Sequence, residues 1–260
     1  MRPPEAPTTG PQAVARALLQ ARRRQAPVES AALERLLLGP DDAYETQELV
    51  AREGGWHPDG VPRYWKSGGP RPGQLTHAPL PEPGVWPSPA DARGRHFNFR
   101  LIEAEVALKL ARDVSAEEAA GLQTEQANAL VAAMTVSIEI VDSRWTEGVR
   151  TAALLKLADL QSHGALALGE WRPFQARDWA QQTCVVQIGG ATPQTFRGTH
   201  SLGDPAWLLP TWLRHVTRHG ATVPRGTVVT TGTWCGMLPA QAGDHVRAVF
   251  EGIGEAAVRL

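Results

Sequence analysis

Apolar and polar positions change their period as the chain proceeds. Near the start, Val14, Ala17, Leu18 and Ala21 recur at helical spacing, which predicts a helix opening at Pro11. A second helix opens at Pro40-Asp41-Asp42, where two carboxylates suit the positive end of the helix dipole, and continues over residues 43–53. Residues 1–10, rich in Pro and Thr and without an apolar period, predict a flexible tail that chemistry does not need. Between residues 54 and 94 neither period holds. Gly68-Gly69-Pro70, Pro72-Gly73 and the prolines between 79 and 83 keep any regular element short, and so long a loop within a domain is usually functional or mobile.

The period then becomes two. Ile102, Ala104, Val106, Leu108 and Leu110 share one face of a predicted strand, and Glu103, Glu105, Ala107 and Lys109 share the other. Ser115 is a capping residue with Glu117 and Glu118 in the turn after it, predicting a helix over residues 115–133. A short buried strand is predicted over 137–141 and a helix over 151–160. Strands follow over 184–188 and 227–231, then a terminal pair around 246–250 and 256–260 joined at Gly252-Ile253-Gly254, with one helix over 205–219 between them. The pattern gives an α+β protein with a helical N-terminal region over 11–75 and a β-rich core over 76–260 that works as one functional unit.

Composition narrows the partner. A chain of 260 residues suffices for a substantial core, and a net charge of -1 offers no electrostatic footprint for nucleic acid or a membrane surface. No apolar run approaches the roughly 20 residues of a membrane span. Cys184 and Cys235 have no CxxC spacing and the first residues lack a secretory pattern, so the expectation is a cytoplasmic protein with reduced thiols and a small-molecule partner.

Candidate chemistry lies in the carboxylates. Glu103 and Glu105, two apart on a strand, project from one face and can converge on one ion, although the wet face of an antiparallel sheet has the same spacing. Glu139 sits within Val136-Ser137-Ile138-Glu139-Ile140-Val141, where an unpaired carboxylate is costly and calls for a cation, a proton or a partner such as Arg144. Three carboxylates without histidine or thiolate favour Mg²⁺ or Mn²⁺ over zinc. Lys66, followed by Ser67-Gly68-Gly69, is either a solvated loop lysine or an acid/base group in a pocket that the glycines let a ligand approach. His163 and His200 are further candidates for ligation or proton transfer, although packing or a surface hydrogen bond is the commoner role of a lone histidine.

Taken in order, Ala43-Tyr44-Glu45-Thr46-Gln47, Trp65-Lys66 before a glycine-rich turn, Ile102-Glu103-Ala104-Glu105-Val106-Ala107-Leu108, Ile138-Glu139-Ile140-Val141-Asp142-Ser143-Arg144, Arg197-Gly198-Thr199-His200, Thr231-Gly232-Thr233 and Ala242-Gly243-Asp244 form a series of motifs. Together they resemble the 2-keto-4-pentenoate hydratase and 4-oxalocrotonate decarboxylase group of the fumarylacetoacetate hydrolase superfamily. The resemblance implies a mixed β-roll core with helices packed outside. It also implies Glu103, Glu105 and Glu139 as metal ligands, Lys66 as the proton-transferring residue with Glu82 and Asp159 as further acid/base candidates, and Gly198, Thr199, His200 and Thr233 around the substrate. The chain departs from the group's pattern at Ser67, where an isoleucine is usual, at Pro83, where an acidic residue is usual and Glu82 is adjacent, at Arg100-Leu101, and at Asp159-Leu160 in place of Asp-Asn.

The function implied is metal-dependent hydration of 2-hydroxyalka-2,4-dienoates in the breakdown of aromatic compounds, acting on a small 2-keto acid. Decarboxylation of a 2-keto-3-enedioate on the same site is the alternative, and a catalytically silent paralogue that stabilises an active partner is a third. Relatives of this kind form homo-oligomers, dimers or larger, and the third reading implies a hetero-complex. Hydrolysis of an acylpyruvate would need a His-Glu pair before the metal strand, for which His57 and His77 are the nearest residues.

Overall fold

The computed structural model describes residues 9–57, 60–71 and 73–260. Most of the tail expected at residues 1–10 therefore lies outside the described residues, and its last two positions start a helix. In α1 (Gly10–Arg24) the Thr9 side chain accepts from the Gln12 amide while Gln12 bonds back to Thr9, and three arginines occupy the last turn. Helix α2 (Pro40–Gly54) has Pro at its start, Asp41 and Asp42 in its first turn, and a left-handed Gly55 at its end.

The chain then forms β1 (Tyr64–Gly68), β2 (Thr76–Pro79), β3 (Val85–Pro87), β4 (Ala90–Asp91), β5 (Leu101–Leu110), α3 (Ala116–Gly121), β6 (Val131–Val141), α4 (Ala153–Ala158) and β7 (His163–Leu168). It ends with β8 (Arg172–Pro173), β9 (Thr183–Ile188), β10 (Gln194–Arg197), α5 (Leu209–Val216), β11 (Val228–Thr230), β12 (Leu238–Pro239), β13 (His245–Phe250) and β14 (Gly254–Arg259). Among the described residues, nine strands build one sheet in the order β2-β1-β11-β5-β6-β7-β3, with β12 added to β5 and β8 to β6. Five build the second, β10-β9-β13-β14-β4.

The main core lies between the sheets. Ile102, Ala104, Val106 and Leu108 of β5 and Val136, Ile138 and Ile140 of β6 join Val246, Ala248, Phe250, Ala256 and Val258 of the smaller sheet. Each such valine, isoleucine or phenylalanine contributes about 1.5–3 kcal/mol by leaving water. A separate core forms where Val14 and Leu18 of α1 and Leu49 and Val50 of α2 meet Trp145 and Leu155, Leu157 and Ala158 of α4.

Three elements differ from the sequence expectation. The helix expected over 115–133 stops at Gly121, is followed by a 3₁₀ turn over Thr124–Leu130, and gives way to β6 from Val131. Alanine-rich residues 127–133 favour helix locally, but pairing of β6 with β5 from Leu110↔Val131 to Leu101↔Val141 outweighs a propensity worth tenths of a kcal/mol per residue. The region 11–75, expected to be helical, contains β1, which pairs with β11 inside the large sheet and so places Lys66 in the core architecture. Strand β7, within a run with no clear period, pairs with β6.

Candidate metal centre

Glu103 and Glu105 project from β5 on the side opposite the main core. Strand β6 runs antiparallel to β5 with Glu139 directly opposite Glu103 and Ser137 opposite Glu105. The third carboxylate thus arrives as a cross-strand neighbour, a position where like charges repel unless something compensates them. One oxygen from each glutamate lies within 4.8 Å of the others.

Lys66 lies on β1, separated from β6 by β11 and β5. In a flat sheet those three strand spacings would amount to about 14 Å. Yet Lys66 Nζ donates to Glu139 Oε1 at 2.6 Å, so the sheet curls with this face concave and the four side chains converge. The ammonium also donates to the Gln161 carbonyl at 3.2 Å. His163, at the start of β7, contacts the same Glu139 oxygen through Nδ1 at 2.9 Å. Glu139 Oε2, fully buried, has no hydrogen-bond partner among the described residues. Glu105 Oε2 accepts from the Thr230 hydroxyl and from the Gly232 amide at 3.0 Å, and Thr230 Oγ1 is 2.8 Å from Ser137 Oγ. Gly232 makes its contact at a φ of 105°, which other residues adopt only under strain.

Burial is the first influence on every group here. It pushes Glu103 up to about 8 and Glu105 up to about 7, with the neighbouring carboxylates adding to the rise and Lys66 opposing it. Burial acts on Glu139 in the same sense, but Lys66 and His163 outweigh it and hold that carboxyl below its usual range. Burial alone would lower Lys66; Glu139, Glu103 and Glu105 together raise it instead. With protein charges alone, then, Lys66 is an ammonium ion paired with Glu139. The cluster raises two carboxyls toward neutrality and leaves one buried oxygen unpartnered among the described residues. An all-oxygen donor set of this kind suits a hard divalent cation.

Lys66, Glu103 and Glu105 form part of the lining of a cleft of about 740 Å³, whose walls include Val141, Leu154, Leu157, Met237 and Thr233. One rim is unusual: Leu160, Gln161 and Ser162 all have left-handed φ values of 52°, 54° and 59°. Such conformations cost about 1–3 kcal/mol each and persist where surrounding contacts enforce them. Here the Leu160 side chain is fully buried, Asp142 N donates to the Ser162 carbonyl at 2.8 Å, and Lys66 binds the Gln161 carbonyl.

The other candidates lie at different distances from this chemistry. Thr233 lines the cleft. Gly198, Thr199 and His200 stand behind it: Thr199 Oγ1 donates to the Trp234 carbonyl, and His200 Nε2 donates to the Thr231 carbonyl at 2.8 Å. Gly198 has no room for a side chain, since a Cβ would lie 2.3 Å from the Ala180 carbonyl oxygen. Their contacts brace the Thr231–Trp234 backbone beside Glu105. Asp159 is not in the cleft. It accepts from Arg144 Nε at 2.7 Å and Arg144 N at 2.9 Å, and from Arg22 Nη2 at 3.2 Å, tying α1 and α4 to the end of β6. Arg144 is therefore engaged with Asp159 and Asp142 rather than with Glu139. Glu82 is exposed in a 3₁₀ turn before β3 and does not line the cleft. Sequence reasoning passed over Thr230, Ser137 and Gln161. The signal for the first was a hydroxyl in Val228-Val229-Thr230, on the face that points at the carboxylates; a left-handed Gln161 leaves no local signal.

Residues 90–260 match the family described as fumarylacetoacetate (FAA) hydrolase C-terminal. Two curated relatives named 2-keto-4-pentenoate hydratase, from Paraburkholderia phymatum and Burkholderia vietnamiensis, are 32% and 31% identical over 160 residues. Each of these matches covers 59% of this chain and 57% of the relative's length. Among solved structures, 4-oxalocrotonate decarboxylase from Pseudomonas putida, complexed with calcium and acetate, superposes with a TM-score of 0.79 at 18% identity over 95% of both chains. The same enzyme with magnesium and adipate gives 0.78 at 16% identity over 95% of this chain and 97% of that one. The ordered motifs, the two-sheet fold and the match over residues 90–260 lead to one conclusion: the chain belongs to the fumarylacetoacetate hydrolase C-terminal family.

Proposed function

We propose that this chain is a metal-dependent lyase of short 2-keto acids that hydrates 2-hydroxyalka-2,4-dienoates in the breakdown of aromatic compounds. The observation that carries the reading is a lysine whose Nζ lies 2.6 Å from one of three converging glutamates, at the base of a cleft with apolar walls. The names of the sequence relatives support hydration. Decarboxylation of a 2-keto-3-enedioate is the second reading, favoured by the likeness of fold to a decarboxylase over 95% of the chain.

Glu103, Glu105 and Glu139 would hold Mg²⁺ or Mn²⁺, with the unpartnered Glu139 Oε2 as one donor. When bound, such an ion supplies positive charge to the oxygens that become negative as a proton leaves the substrate carbon. The protein does the rest. Thr230 and the Gly232 amide orient Glu105, His163 orients Glu139, and the Gln161 carbonyl holds Lys66 Nζ at the cleft. Lys66 then moves a proton at Nζ. The protein's own charges raise the Lys66 pKa; added positive charge among the carboxylates would oppose that rise and favour a neutral amine. Leu154, Leu157 and Val141 keep bulk water from the reacting carbon.

Calorimetric titration with Mg²⁺ and Mn²⁺ tests the centre. Glu105→Gln is expected to abolish binding while circular dichroism shows an unchanged fold, and unchanged binding would refute the assignment. A spectrophotometric screen of 2-hydroxydienoates and 2-ketoenedioates with the purified chain and Mg²⁺, following chromophore loss and CO₂ release, separates hydration from decarboxylation. Absence of turnover throughout would point to a silent paralogue.

A further inference from the structure

The cleft contains a second lysine that the chemistry above does not use. Helix α4 turns Leu155 and Ala158 into the small core, and Ala153, Leu154, Lys156 and Leu157 line the cleft. Lys156 is half-buried there, and its Nζ donates to the Val149 carbonyl at 3.1 Å. Among the described residues no carboxylate lies within 4.0 Å of it. An ammonium has three N–H donors, and one carbonyl uses one of them. A cation partly withdrawn from water among leucines gains most from an anion brought to it.

Charge balance points the same way. The three glutamates and Lys66 are compensated within the proposed centre once a divalent cation is present. Lys156 stands outside that balance, on an otherwise apolar wall of the same cleft. We propose that Lys156 reads a second carboxylate at the far end of the substrate, so that this chain selects 2-keto dicarboxylates over 2-keto monocarboxylates of equal length. Lys156 is thereby a specificity-determining residue, whether water addition or loss of CO₂ follows. The inference rests on the reading of Glu103, Glu105 and Glu139 as the centre that holds the keto-acid end.

The test compares 2-oxohexanedioate with 2-oxohexanoate, which differ only in the terminal carboxylate, by calorimetry with the full chain and saturating Mg²⁺. A charge-assisted hydrogen bond implies that the dicarboxylate binds the wild type roughly tenfold or more tightly. In Lys156→Met that ratio is expected to collapse toward one, and Lys156→Arg, which keeps the charge, to restore most of it. Melting temperatures of both variants report any loss of the Val149 contact independently. A wild-type ratio near one, or a ratio that survives in Lys156→Met, overturns the inference while leaving the metal centre intact. If neither acid binds, or both bind Glu105→Gln as well as they bind the wild type, the reading of the centre fails and this inference with it.

Discussion

At Lys66, one side chain compensates for the crowding of three others. Removing its charge leaves Glu139 buried beside Glu103 and Glu105, with His163 as its remaining hydrogen-bond partner. Breaking a buried pair from one side typically costs about 3–5 kcal/mol. Lys66→Met is thus expected to lower the metal-free melting temperature, and added Mg²⁺ to raise it by more than in the wild type, since the ion no longer competes with an ammonium. The variant should keep metal binding yet lose about a hundredfold or more of proton exchange at C3 of a 2-keto acid in D₂O. Undiminished deuterium incorporation, or borohydride trapping of substrate on wild-type Lys66, would move the proton-transfer role to another group.

Among the elements, β11 does most with least. Its three residues join β1 to β5, and Thr230 faces Lys66 across one pairing and Ala107 across the other. The Thr230 hydroxyl donates to Glu105 and meets Ser137, so one strand sets the orientation of a glutamate on its neighbour. Thr230→Val, nearly the same shape without the hydroxyl, should weaken Mg²⁺ affinity by about 10–100-fold, as loss of a ligand's hydrogen-bond partner generally does. It should also cost about 1–3 kcal/mol, because Ser137 Oγ is left buried without its partner. Calorimetry and denaturant unfolding check the two effects separately. Equal metal affinity in the variant would show that Glu105 is held by the Gly232 amide alone.

For the whole molecule, buried ionisable groups shape stability against pH. Burial lowers His77 to about 3, His200 to about 4 and His215 to about 2, so these rings fold neutral. Their folded values lie below the ordinary 6.5, so their contribution is complete above pH 6.5 and is lost as pH falls below it. Burial raises Glu103 and Glu105, so their contribution has the opposite sign: present below about pH 4.5 and lost as pH climbs toward 7 and 8. Each fully displaced group changes stability by about 1.4 kcal/mol per pH unit. Metal-free protein is expected to be most stable near pH 6.5, with denaturant midpoints declining on both sides. His77→Gln should flatten the acid side, and a midpoint still rising from pH 6.5 to 8 would contradict the alkaline half. The small core acts at the same scale: Leu18→Ala in α1 should cost about 2–5 kcal/mol and loosen α4, which carries Lys156, detectable as faster hydrogen exchange in residues 153–158.

Periodicity within one element was enough to settle which face of β5 carries Glu103 and Glu105, because side-chain direction along a strand follows from backbone geometry alone. Local chemistry likewise announced the start of α2, where Asp41 and Asp42 act over a single turn. Ordered motifs along the chain were sufficient for the family. What no local pattern contains is the register that sets Glu139 against Glu103, the curl that brings Lys66 across two intervening strands, or the left-handed turn that presents Gln161. Asp159 shows the same limit from the other side. Its sequence neighbours align it with a catalytic motif, but Arg144 and Arg22, 15 and 137 positions away, occupy it as a structural ion pair. These features depend on free energies summed over distant contacts. Packing between the two sheets and against α1, α2 and α4 outweighs the preferences of any single segment, so only the tertiary structure decided them.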